Sequence, residues 1–198
     1  MPKLAARTRA RRRQALIAAG WHCLDRTGYR DMTVDDICRE AKVSKGAFYG
    51  YFPHKQTLLL ALLHDESERI EQVMLELQTA SMSAGARLQA FAVAMLERAQ
   101  QPGRIQISTD IWSGMLTDPA MRETLVTATA QRRRRLRAWV EAGVTRGELV
   151  AAPANALASL LLALGDGLTL HAGLDPEAFR WDNIRLTLDL LLAALQPG

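Results

Sequence analysis

Apolar positions along this chain recur at helical intervals nearly everywhere, and no stretch alternates as a half-buried strand would. Leu16, Ala19, Gly20, Cys23 and Leu24 form one such stripe, predicting a first helix from near Arg11 that Gly28 and Tyr29 stop. Thr33, with Asp36 three residues on, has the spacing of a capping box with a shortened acid and opens a second helix carrying Ile37 and Ala41 inward. Lys42 and Val43 supply a tight turn. Ser44 then caps a third helix whose inward side is Ala47, Phe48 and Phe52. Pro53 has the place of a first-turn proline for a fourth helix, through TLLLALLHDESERIEQVMLELQ.

Beyond that helix the segment SMSAG at 81–85 breaks the pattern. Further helices are expected from Ala86 to about 100, from 105 to 116 after a turn at Pro102-Gly103, and from Asp118-Pro119 to about 143. GVTRGEL is a polar connection, and two strongly apolar helices follow at about 153–172 and 176–195, each opening with a proline. The fold expected is all-α, about nine helices, with a small N-terminal head at 1–55 and a larger body at 56–198.

Composition adds a direction to this picture. Residues 1–55 hold twelve Lys and Arg against five acids, a net of +7, whereas the rest nets −3. Five arginines and one lysine crowd the first thirteen residues, MPKLAARTRARRR, which read as a flexible basic arm. Such asymmetry points to a polyanion partner at the head only. Cys23 and Cys38 sit singly on helices with no disulfide framework, which suits a reducing compartment. The Arg-rich start has no apolar core of a signal peptide, and Asp166 and Gly167 interrupt the longest apolar run, so neither a leader nor a membrane span is expected and the cytoplasm is the default address.

The segment TVDDICREAKVSKGAFYGYFPHK at 33–55 carries the chemistry. A helix that reads a DNA major groove brings its N-terminal end and one face close to the bases, which demands short or flat side chains there. Ser44, Lys45, Gly46 and Ala47 meet that demand: the hydroxyl and first-turn amides can donate to phosphate, Gly46 removes bulk, and Lys45 can reach a base edge or phosphate. Tyr49 and Tyr51 stand two apart while Phe48 and Phe52 claim the buried positions, so at least one tyrosine is exposed. Lys55, expected at the third position of the fourth helix, adds its charge to the positive end of that helix, and Thr33 offers a hydroxyl at the start of the second.

The register of Gly28-Tyr29, Thr33, Ile37, Ala41, Val43-Ser44-Lys45-Gly46, Tyr49, Phe52, Lys55 and Leu58 resembles the N-terminal signature of the TetR family of transcriptional regulators, over roughly residues 11–63. The resemblance implies that Tyr49 and Tyr51 lie against the DNA backbone, that the protein is a dimer, and that the body binds a small effector that alters the spacing of two heads. Two positions depart from the family pattern. Lys42 stands where the family commonly has glycine, and Gly50 stands where a larger polar residue is frequent. Arg7, Arg9 and Arg11 to Arg13 are candidates for a minor-groove arm.

A single helix-turn-helix covers one half-site, so a homodimer on a palindromic operator is expected, joined through the helices at about 153–172 and 176–195, which are apolar over more of their circumference than one core stripe requires. Candidate effector-pocket residues are Phe91, Met95, Trp112, Met115 and Trp139, with Asp110, Asp166 and His171 as polar groups in apolar surroundings; an apolar or amphipathic effector suits this set. Arg132 to Arg135 read as a solvated helix face, since four consecutive residues encircle a helix. No cofactor or metal site is expected. The residues three before His22, His54, His64 and His171 are Ala19, Tyr51, Ala61 and Leu168, which excludes a Glu-x-x-His di-iron motif; HExxH, a phosphate-binding P-loop and GxSxG are absent too. The expectation is therefore a ligand-responsive DNA-binding regulator, a repressor before an activator, and not an enzyme. The competing reading is a nonspecific architectural DNA binder, which leaves the apolar body without a purpose.

Overall fold

The computed structural model describes residues 2–101 and 104–197, and among these the elements are helices with no strand. In chain order they are α1 (Pro2–Asp31), α2 (Val34–Ala41), α3 (Lys45–Tyr49), α4 (Lys55–Thr79), α5 (Ala84–Ala99), α6 (Arg104–Thr117), α7 (Pro119–Thr145), α8 (Ala154–Leu174) and α9 (Trp181–Ala193). The all-α head-and-body architecture expected from the sequence is what forms. The expected turn at Pro102-Gly103 lies outside the described residues.

Several boundaries differ, each for a local reason. The basic arm is helical: α1 begins at Pro2 instead of near Arg11, because Ala, Arg and Leu are strong helix formers and nothing in the segment breaks the run. Gly28 does end the regular part, with φ 74° and ψ 167°, a conformation glycine adopts without steric cost. Pro53 precedes the helix instead of opening it. The N–H of His54 donates to Thr57 Oγ1 at 3.2 Å, so His54 is the cap and Lys55 the first residue of α4, not the third. α7 continues through Thr145, with Gly143 buried against Ala84 and Leu149, and Gly147 at φ 70° makes the turn. Pro176 lies in a turn closed by the N–H of Ala178 on Asp175 Oδ1, 3.1 Å, and α9 starts only at Trp181, whose ring meets Phe179 edge-on at 4.8 Å.

Two apolar cores organise the molecule. The head core joins Leu16, Ile17, Leu24, Ile37, Phe48 and Phe52 to Leu58 and Leu62 of α4 and Ile107 of α6. The body core joins Ile70 and Met74 of α4 to Leu88, Phe91, Leu136, Trp139 and Val140. α4 thus belongs to both, with its upper turns in the head and its lower turns in the body. α8, which packs against α5, α6 and α7, is the one described helix long and apolar enough to cross a bilayer by length and composition.

Candidate nucleic-acid interface and interior charge layer

The α2–turn–α3 unit is built by caps. Thr33 Oγ1 accepts the N–H of Asp36 at 3.1 Å and Asp36 Oδ2 accepts the N–H of Thr33 at 3.2 Å, completing the box read from the sequence. Lys42 is left-handed, φ 55° and ψ 44°, at a cost of about 1–2 kcal/mol for a residue with a Cβ. That conformation turns the chain so that Val43 N–H closes on Cys38 O at 3.0 Å and Ser44 Oγ caps α3 by accepting from Ala47 N–H at 3.1 Å.

Phe48 is fully buried and packs 5.9 Å from Phe52, which fixes the rotation of α3 and leaves Ser44, Lys45, Gly46 and Tyr49 outward; Tyr49 is 51% exposed. Ala47 and Tyr51 are half-buried, Tyr51 leaning on the head core. A Cβ on Gly46 would meet only Ser44 Oγ, at 3.9 Å. Nothing inside the protein requires glycine there, whereas an outside surface approaching α3 would.

Two lysines of the candidate set are already engaged. Lys45 Nζ pairs with Asp35 Oδ1 at 2.7 Å, both exposed, and that hydrogen bond holds the ammonium above its ordinary pKa. Lys55 Nζ donates to the carbonyls of Tyr29 (2.8 Å) and Met32 (2.9 Å), reaches Arg30 O at 3.4 Å, and lies 4.4 Å from the Tyr29 ring centroid. Burial pulls its pKa down, opposed by the charges of Asp110 and Asp31. It ties the end of α1 to α4. On α1, Arg7, Arg9, Arg11, Arg12 and Arg13 are exposed, and Arg13 lies over the Phe52 ring at 5.4 Å, beside the end of α3.

The structure does not gather the eight candidate pocket residues. Phe91 and Trp139 meet edge-on in the body core at 6.2 Å, with Met95 packed beside them; the Trp139 indole N–H donates to Gln78 and Arg87 stacks over its ring. Asp110 is at the head instead, accepting the N–H of Tyr29 at 2.6 Å. Trp112 is exposed on α6, and Met115 lies by the α6–α7 turn among Leu116, Pro119 and Val126. Asp166 and His171 are accessible on α8. A narrow apolar crevice between α5, α8 and α9 is lined by Phe91, Met95, Leu161, Leu164, Gly165 and Leu168, among others.

Between the two cores lies a layer of charge. On α4, Glu66 follows Leu62 by four residues and precedes Ile70 by four, so it occupies the buried stripe. Its carboxylate takes Arg104 Nη1 at 3.0 Å and Arg98 Nε at 3.2 Å. Burial pushes the Glu66 carboxyl up, and the charges of Arg104 and Arg98 overcome it, leaving the pKa below its ordinary value. Arg135 Nη2 pairs with Glu71 Oε2 at 3.0 Å, and Arg132 Nη2 donates to Ser67 Oγ at 3.1 Å. The reading of Arg132 to Arg135 as a solvated face is therefore corrected. α7 packs on α4, and the polar strip Glu66, Ser67, Glu71 draws Arg132 and Arg135 inward, leaving only Arg134 of the four exposed.

With this geometry in place, likeness to known proteins is informative. Residues 16–62 match bacterial regulatory proteins of the tetR family, and residues 84–197 match the C-terminal region of BetI-type transcriptional repressors. The chain belongs to the TetR family. It is 30% identical over 181 residues to the HTH-type transcriptional regulator BetI of Paraburkholderia phytofirmans, covering 90% of this chain and 89% of that one. It is 32% identical over 189 residues to BetI of Serratia proteamaculans, covering 93% of each. Among solved structures, a TetR transcription regulator from Haloarcula marismortui superposes with a TM-score of 0.84 at 21% identity, over 95% of this chain and 100% of that one. A regulator structure from Saccharomonospora viridis, in complex with choline, gives 0.79 at 22% identity, over 93% and 96%.

For a TetR-family regulator the sequence had exposed most of the DNA-reading head and little of the interior. Asp35, the partner of Lys45, carries no distinguishing sequence signal, being one of two acids in the first turn of α2. The head–body role of Asp110 had no local signal, since its partner lies 81 residues away. Glu66 did carry one: an acid four residues from Leu62 and four from Ile70 interrupts an otherwise apolar stripe.

Proposed function

We propose that this transcriptional regulator binds a palindromic operator as a homodimer, acts as a repressor, and is released by a small effector held in its body. The observation that carries the reading is the presentation of α3. Ser44 caps it, Phe48 anchors it, and Ser44, Lys45, Gly46 and Tyr49 face outward with room for a duplex. Thr33, Ala47, Tyr51 and Lys55 complete the proposed contact set. Thr33 does so at the start of α2, and Lys55 by fixing where α1 meets α4, from which it would reach phosphate only by leaving its carbonyls.

The functional division runs at residue 55, with the effector and dimer functions in 56–198. The dimer seam is α8 with α9, where Leu160, Leu170, Leu174, Leu186, Leu190 and Leu191 are all exposed in the single chain. Exposed leucines in such number on two neighbouring C-terminal helices are what a self-complementary two-fold interface covers. The match to BetI-type repressors and a neighbour of the same fold holding choline support an effector-responsive repressor. A cytoplasmic address goes with access to DNA.

The test is anisotropy titration of palindromic against scrambled duplexes at several salt concentrations, paired with sedimentation of the intact chain and of Leu190→Glu. The reading expects palindrome preference, a steep salt slope and a dimer, with the variant monomeric and weak on the palindrome. Equal affinity for scrambled DNA, or palindrome preference by a monomer, would overturn it.

A further inference from the structure

The interior charge layer is not balanced. Glu66 is shared by Arg98 and Arg104, and Glu71 gives Oε2 to Arg135 while its Oε1 is buried without a donor among the described residues, leaving two acids among four arginines. Arg132 stands on the inward stripe of α7, four residues from buried Ala128 and four from fully buried Leu136, yet it forms no ion pair among the described residues. One nitrogen donates to Ser67, and its Nε is buried with no acceptor among the described residues; the Nε of neighbouring Arg133 is in the same state. A guanidinium keeps its charge in any protein, so such a group retains an unmet demand for an anion. Burial lowers its pKa, with Glu71 and Glu66 opposing from beyond contact distance.

The neighbourhood offers one open point on α8 and a narrow apolar wall. Asp166 of α8 also attracts Arg132 without touching it, and the preceding Gly165, on the inward stripe of α8 with Ala158, Thr169 and Ala172, has nothing within 4 Å of where a Cβ would stand. Glycine inside a helix costs roughly 1 kcal/mol against alanine, so one on an inward stripe with open space at its Cβ position marks a place kept open. Gly165 lines the apolar crevice, and Met95 of the same crevice is one turn from Arg98 of the layer.

We propose that the effector is an apolar carboxylate, its acidic group seated on Arg132 and its hydrocarbon or aromatic part spreading the α5–α8–α9 crevice. This rests on the effector-responsive reading above and names the effector's chemistry. An incoming carboxylate accepts from Arg132 Nε and supplies the charge that the layer lacks, while the crevice shelters the apolar part from water. Because the same layer holds α4, α5, α6 and α7 together, filling the seat alters the join between head and body.

The test uses the full-length protein with acetate, benzoate and octanoate, each beside its uncharged amide, and with choline as a cation. Melting temperature and release from the operator duplex are read together, for the wild type and for Arg132→Gln and Arg132→Met. Benzoate or octanoate is expected to raise the melting temperature saturably and weaken operator binding, the amides not. Each Arg132 variant should lose roughly tenfold or more of the carboxylate affinity, as expected for a charge-assisted bond, while still binding operator without effector. Arg132→Met should melt no lower than wild type, since it removes an unpaired buried charge. Equal carboxylate binding in the variants, or no saturable response to any carboxylate, would overturn the proposal. Release by choline or an amide alone would overturn it too, while leaving the effector-responsive reading intact. Failure of effector-free protein to bind any operator would instead overturn that reading.

Discussion

The N–H of Tyr29 donates to the Asp110 carboxylate at 2.6 Å, joining the first residue past the α1 break to the middle of α6. Gly28 makes this possible, since its φ of 74° aims the Tyr29 amide at α6, and a Cβ there would stand 3.4 Å from Asp110 Oδ2. Asp110→Ala should therefore cost about 1.5–3 kcal/mol of stability, the range for a hydrogen bond to a charged group. It should also separate effector binding from operator release. Chemical denaturation and release assays on one preparation would check both; wild-type release in the variant would mean the joint transmits nothing.

The Lys45–Asp35 pair should restrain the head on DNA. Asp35→Asn frees the ammonium and removes a negative charge beside phosphate, so operator affinity should rise. Lys45→Ala should lower affinity across all sequences and flatten the logarithmic salt slope by about one. Both substitutions lie on an exposed pair, worth little to the fold. Anisotropy at graded salt reads the outcome, and an unchanged slope for Lys45→Ala would take this lysine out of the contact set.

Lys55 gives the opposite partition. Its Nζ satisfies the part-buried carbonyls of Tyr29 and Met32, so Lys55→Met should leave them without this donor and lower stability by about 1–3 kcal/mol. Operator affinity measured well below the melting temperature should fall less than for Tyr49→Ala. A fully stable Lys55→Met variant with lost DNA binding would restore this lysine as a direct phosphate ligand.

Glu148 sets an acid limit on the body. Its carboxylate takes Arg146 Nε at 2.6 Å and the N–H of Ala84 at 2.5 Å, pinning the start of α5 to the α7–α8 turn. The Arg146 hydrogen bond, with help from Ala84, lowers its pKa from 4.5 to about 2. A depressed folded-state pKa contributes stability that is complete above pH 4.5 and is lost as pH falls toward 2. Urea unfolding between those pH values should show a shallower decline for Glu148→Gln than for wild type. Parallel slopes would assign the acid limb to other carboxylates.

The head was legible because its signals are local. Thr33 and Asp36, Ser44 and Ala47, and the Phe48–Phe52 spacing each satisfy a backbone or packing need within a few residues. The body was legible as helices but not as a site. Asp110 meets Tyr29 and Arg132 meets Ser67 only through tertiary packing, and no periodicity in the chain announces either contact. The early α1 start and late α9 start have the same origin in reverse: propensity carried the arginine arm into a helix, and the Asp175 turn overrode Pro176 as a start signal.

A 25-residue α4 is a rigid rod about 37 Å long, clamped by apolar grips at both ends. A tilt of about 5° at its lower grip would swing its upper end by roughly 3 Å, close to one base-pair step of duplex, so a displacement smaller than a helix diameter is enough to throw the two readers of the proposed dimer out of phase with the grooves they would straddle.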